Sequence, residues 1–83
     1  MKFYAIQVRI RDGDNEYYQW KTLRTRILVD IGIKKLLSEF FGEGTYEYNG
    51  AFFSKDDCQA VSLSQWREIS EEQYKTITEV LGI

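Results

Sequence analysis

Cys58 is the chain's one thiol, and it directly follows Asp56 and Asp57. A nucleophilic cysteine needs a cation or a histidine beside it to stabilise the thiolate. Here the neighbours are acidic, and the chain contains no histidine at all. Neither a Cys/His nor a Ser/His pair can form, and the commonest general base and metal ligand is missing. Cys58 therefore reads as a structural or loop cysteine, and a single cysteine rules out an intrachain disulfide.

The carboxylate groups offer little more. Asp56-Asp57 lacks the Asp-x-Asp-x-Asp-Gly spacing of a calcium loop. Glu71 and Glu72 sit where a helix N-terminus favours negative charge. The six glycines match neither a dinucleotide fingerprint nor a phosphate loop, and serve as turn and cap signals instead. The expectation is a non-catalytic protein with no cofactor and no bound metal.

Charge is divided by position. Residues 1–27 carry six cations (Lys2, Arg9, Arg11, Lys21, Arg24, Arg26) against three carboxylates, whereas residues 28–83 carry five against ten. The formal net charge of −2 conceals this split. A basic patch interleaved with aromatics is how sheet-based binders hold single-stranded nucleic acid. The sequence pI of about 5.1 argues against that, since nucleic-acid modules are usually strongly basic. Thirteen aromatics are a large share for 83 residues, and Tyr, Trp and Arg dominate protein-binding hot spots.

These side chains need a scaffold. Tyr4, Ile6, Val8 and Ile10 alternate with Ala5, Gln7, Arg9 and Arg11, the period of a half-buried strand. A second β-rich stretch runs from Tyr17 to about Ile27. Pairing Ile10 with Tyr18, Val8 with Trp20 and Ile6 with Thr22 closes the hairpin through a five-residue loop, Asp12 to Glu16. That register turns Tyr18 and Trp20 to the core, and gathers Arg9, Arg11, Tyr17, Gln19 and Lys21 on the opposite face. The pattern decays after Thr22, which predicts a bulge or strand end there.

Ile33, Leu36, Leu37, Phe40 and Phe41 form a helical apolar stripe, with Asp30 as N-cap and Gly42 or Gly44 as terminator. Tyr46–Tyr48 and Ala51–Phe53 flank Asn49-Gly50, the strongest short hairpin signal. Val61 and Leu63 begin a strand running toward Trp66. Ser70-Glu71-Glu72-Gln73 is a capping box for a last helix, with Ile69 and Tyr74 as its hydrophobic staple and Tyr74, Ile77 and Leu81 as its buried stripe.

The predicted fold is α+β, one domain over residues 1–83: an antiparallel sheet of four to five strands with two helices on one face, order ββαβ(β)βα. No segment has the apolar run of a signal peptide or a membrane span, so a cytoplasmic protein without membrane contact is expected. The functional expectation is a small non-catalytic module that binds a protein, a regulator or inhibitor of a larger machine of the type phages and mobile elements carry. Its contact residues are Arg9, Arg11, Tyr17, Lys21, Tyr46, Tyr48, Phe52 and Phe53. Nucleic-acid binding by the basic face of the first hairpin is the alternative. A bare strand edge also leaves open pairing with a second copy.

Overall fold

The computed structural model describes all 83 residues. The elements are β1 (Lys2–Asp12), β2 (Asn15–Thr25), α1 (Val29–Ser38), β3 (Tyr46–Tyr48), β4 (Ala51–Phe53), β5 (Gln59–Ile69) and α2 (Glu71–Leu81). The strands form one five-stranded antiparallel sheet in the order β2-β1-β5-β4-β3. The class, the strand count and the element order are those expected. No helix is long and apolar enough to cross a membrane.

The alternation in β1 works as written. Tyr4, Ile6, Val8 and Ile10 are buried, and with Ile33, Leu37, Phe52 and Val61 they make the core. α1 supplies Ile33 and Leu37 to it, with Leu36, Phe40 and Phe41 packed at its margin. The helix is shorter than its apolar stripe. It ends at Ser38, and Phe40 and Phe41 pack edge to face from the turn that follows. Leu28, not Asp30, occupies the N-cap; Asp30 lies one position inside the helix and accepts from the Ile31 amide.

The first hairpin corrects the expected register. Asp12 pairs with Asn15, so Ile10 faces Tyr17, Val8 faces Gln19 and Ile6 faces Lys21. The loop is two residues, Gly13-Asp14, rather than five. Its cause is local: Gly13 has φ +63° as the first of two central residues, the position a type II′ hairpin turn reserves for glycine. Slipping one residue inverts the whole strand. Tyr17, Gln19, Lys21, Leu23 and Thr25 share the α1 side, while Tyr18, Trp20, Thr22 and Arg24 turn to the other. β2 accordingly runs unbroken to Thr25. The irregularity lies in β5, where Ser64 is the extra residue between the pairs Gln7–Gln65 and Val8–Leu63.

Asn49 (φ +52°) and Gly50 (φ +82°) form the second tight turn as the Asn-Gly signal predicts. The last helix has the expected cap but not the expected buried stripe: none of its residues is fully buried, and Leu81 is largely exposed. Ser70 Oγ accepts from the Gln73 amide at 3.0 Å, the Gln73 side chain accepts from the Ser70 amide at 2.9 Å, and Gly82 closes the helix in a left-handed conformation.

α2 is not on the same face as α1. Tyr74 packs on Phe3 (ring centroids 5.0 Å apart), and Ile77 and Leu81 line a groove with Ala5, Thr22 and Ile69. Those sheet residues have the parity opposite to the core. The two helices therefore flank the sheet, one on each side, and α2 covers only the end where β1 begins.

Candidate functional site: the open sheet face

Beyond α2, the face opposite α1 is uncovered. Across it in strand order lie Glu16 and Tyr18 on β2, Arg9 and Arg11 on β1, Ala60 and Ser62 on β5, Ala51 and Phe53 on β4, and Tyr46 and Tyr48 on β3. Every arginine of the sheet (Arg9, Arg11, Arg24 and Arg67) has this parity, whereas the sheet lysines, Lys2 and Lys21, have the other. We call it the arginine face.

Its aromatics are accessible. Tyr18 is 55% exposed, Trp20 41% and Tyr48 65%. Tyr46 and Phe53 are cross-strand partners with rings stacked at 5.6 Å and 19°. A shallow concavity of about 150 Å³ joins Arg9, Arg11, Glu16, Phe53 and Ser62, so cation and aromatic share one surface. The guanidiniums are largely free for an incoming group. Arg9 alone meets a carboxylate, Glu16 at 3.9 Å; the other ion pairs are Lys2–Glu68, Lys34–Glu47 and Lys75–Glu71.

The end of the sheet at the hairpin tip is acidic, with Asp57 on the arginine-face side and Asp12 and Asp56 toward α1. Gly13 donates its amide to the Cys58 carbonyl, which ties the tip of the first hairpin to the loop between β4 and β5. Asp12, Asp56 and Asp57 thereby surround the thiol. Their field, that of Asp56 foremost, pushes the Cys58 thiol above its ordinary value. Asp56 is itself held below the usual aspartate value by the Ser54 hydroxyl and the Cys58 amide. Asp57 accepts from the Tyr46 hydroxyl. On the arginine face itself the basic, aromatic floor thus ends at one fixed carboxylate, Asp57.

Of the eight residues expected at the site, the fold brings five together: Arg9, Arg11, Tyr46, Tyr48 and Phe53. Phe52 is excluded, because its position in β4 points to α1 and leaves it 5% exposed in the core. Tyr17 and Lys21 are excluded by the hairpin register. Lys21 lies on the α1 side with its ammonium 5.6 Å from the Phe40 ring centroid. Tyr18 and Trp20 are the members that sequence reasoning assigned to the core instead. Gly13 carried the signal for them, since a glycine-first two-residue turn fixes their parity.

No protein-family model, curated protein or solved structure matches the chain.

Proposed function

We propose that this is a small non-catalytic module that binds another protein through the arginine face. The observation that carries the reading is the co-location of Arg9 and Arg11 with Tyr18, Tyr46, Tyr48 and Phe53 on one uncovered sheet surface. These residue types supply most of the energy in protein interfaces: broad rings that lose little entropy on binding, and guanidiniums that pair with carboxylates in a fixed fork. The partner surface that fits is apolar with acidic groups facing Arg9 and Arg11, and a basic group facing Asp57. A compact domain that presents arginines and aromatics on an open sheet suits a regulator or inhibitor of a larger machine, of the phage or mobile-element type. A lone unpaired cysteine suits the reducing cytoplasm.

The test is affinity capture from the native host with the wild-type chain and with the triple variant Arg9→Glu/Tyr46→Ala/Phe53→Ala. The expected result is a protein held by the first and lost by the second. Equal capture by both, with the variant folded by circular dichroism, overturns the reading.

A second reading rests on the same geometry. Stacking rings beside guanidiniums on an open sheet also suit single-stranded nucleic acid. The carboxylates of this face work against it, because a phosphate backbone crossing it meets Glu16 beside Arg9 and Asp57 beside Tyr46. Anisotropy of a labelled single-stranded oligonucleotide separates the two readings. Salt-sensitive binding that Arg9→Ala abolishes establishes the nucleic-acid reading.

A further inference from the structure

We infer that the free edge of β2 is an interface with a second copy of this chain, paired antiparallel about a two-fold axis through Trp20. The inference is independent of the partner proposed for the arginine face.

β2 is the outermost strand on its side of the sheet and is 11 residues long. The opposite outer strand, β3, has only three residues. Natural sheets blunt a long edge by shortening it, kinking it, or placing proline or charges along it. This edge has no proline and no irregularity in its register, and its charges, Glu16, Lys21 and Arg24, are of both signs and so can pair across two copies. It carries Tyr17, Tyr18 and Trp20 in exposed positions. Its one lysine, Lys21, is drawn over the Phe40 ring of its own chain.

The hairpin turn decides which backbone groups are free. In a two-residue hairpin the pair flanking the turn is hydrogen-bonded, and bonded pairs then recur at every second residue. Asn15, Tyr17, Gln19, Lys21, Leu23 and Thr25 therefore spend their amides and carbonyls on β1. Glu16, Tyr18, Trp20, Thr22 and Arg24 direct theirs outward, and only these can bond a neighbouring strand.

Self-pairing over the whole of β2 sets Trp20 opposite its own mate, Tyr18 opposite Thr22 and Glu16 opposite Arg24. All three pairs join outward-directed residues, so each member donates and accepts one bond. The charges agree with that register: Arg24 has no ion-pair partner in its own chain, and Glu16 has only Arg9 at 3.9 Å. Lys21 falls opposite Gln19. Shifting by two residues one way places Lys21 against its own mate; shifting the other way leaves the strand's C-terminal end unpaired. A shift by one residue opposes free backbone groups to spent ones. One register satisfies strand length, hydrogen bonding and charge together.

Sedimentation velocity over a concentration series up to about 1 mM provides the first test, with a concentration-dependent dimer expected. Glu16→Arg and Arg24→Glu should each weaken it roughly tenfold by creating like-charge contacts, and the double swap should restore it. In a Cys58→Ser background, Gln19→Cys with Lys21→Cys should give an intermolecular disulfide under mild oxidation, because those positions form a close non-bonded pair across the axis. A monomer at every concentration overturns the inference. A dimer that ignores the charge swap and does not cross-link at these cysteines overturns it too, since its interface then lies elsewhere.

Discussion

The ring of Tyr46 lies on that of Phe53, with centroids 5.6 Å apart and planes 19° from parallel. The stack joins β3 to β4 on the arginine face, while Phe52, the next residue along β4, enters the core. Adjacent phenylalanines therefore have opposite duties. Phe52→Ala should cost about 3–5 kcal/mol through cavity formation, a large part of a domain's total stability. Phe53→Ala should cost about 1–2 kcal/mol and instead abolish partner capture. Urea denaturation of both variants, beside the capture assay, checks the division; equal destabilisation contradicts it.

Gly13 sets the register on which the arginine face depends. At φ +63° it meets no atom within 4 Å of where a Cβ would stand, so a substitution there acts on backbone conformation alone. Gly13→Ala should destabilise the fold by about 1–2 kcal/mol. D-alanine at the same position, introduced by chemical synthesis, should recover most of that loss. If the L- and D-variants unfold at the same denaturant concentration, the turn is not what selects the register.

The acidic loop around Cys58 has a pH signature with a definite sign. Asp56 is depressed in the folded state, so its contribution is complete above the ordinary aspartate value near 3.9 and is lost as pH falls through its lower folded value. The loop around Cys58 should therefore loosen only below about pH 4. Cys58 shifts the opposite way, so its thiolate should be scarce at neutral pH. Asp56→Asn should lower that value and speed alkylation by iodoacetamide at pH 8. An unchanged rate would mean that Asp56 is not the dominant influence on the thiol.

α2 is held lightly. None of its residues is fully buried, and Val80 and Leu81 are largely exposed. Its attachment depends on Tyr74 against Phe3, on Ile77, and on the bond from the Thr22 hydroxyl to the Ile83 carbonyl at 2.9 Å. Ser70→Ala removes the cap and should cost about 1 kcal/mol. Hydrogen exchange should then quicken throughout α2 while the amides of β1 and β5 keep their protection. Uniform quickening across the chain would show instead that α2 and the sheet open as one unit.

Features governed by near neighbours were legible in the sequence. The capping box of Ser70 and Gln73, the Asn49-Gly50 turn and the alternation of β1 each depend on residues within a few positions of one another. The register of β2 is not legible in the strand itself, because its apolar residues occupy both parities: Tyr17 and Leu23 on one side, Tyr18 and Trp20 on the other. Assigning the largest rings to the core chose the wrong side. An edge strand has less of its surface covered, and α1 meets the end of β2 around Leu23 and Thr25 rather than its middle. The side taken by α2 depends on a long-range contact, although Phe3 and Ala5, apolar at the parity opposite the core, marked where it would sit. The site was half visible for the same reason: Arg9 and Arg11 follow from β1 alone, whereas Tyr18 requires the register.

The central seam of the sheet has a consequence for timing. β1 pairs with β5, so Phe3 finds its neighbour in Ile69, and β1 must wait for a strand made more than fifty residues later. During synthesis the β1–β2 hairpin and α1 emerge early, but Val8 and Ile10 cannot be enclosed until Val61 and Leu63 arrive. Closing so distant a contact is slow compared with forming a hairpin or helix. The nascent chain therefore carries an unfinished apolar strand until β5 has been made, and the sheet can close only after that point.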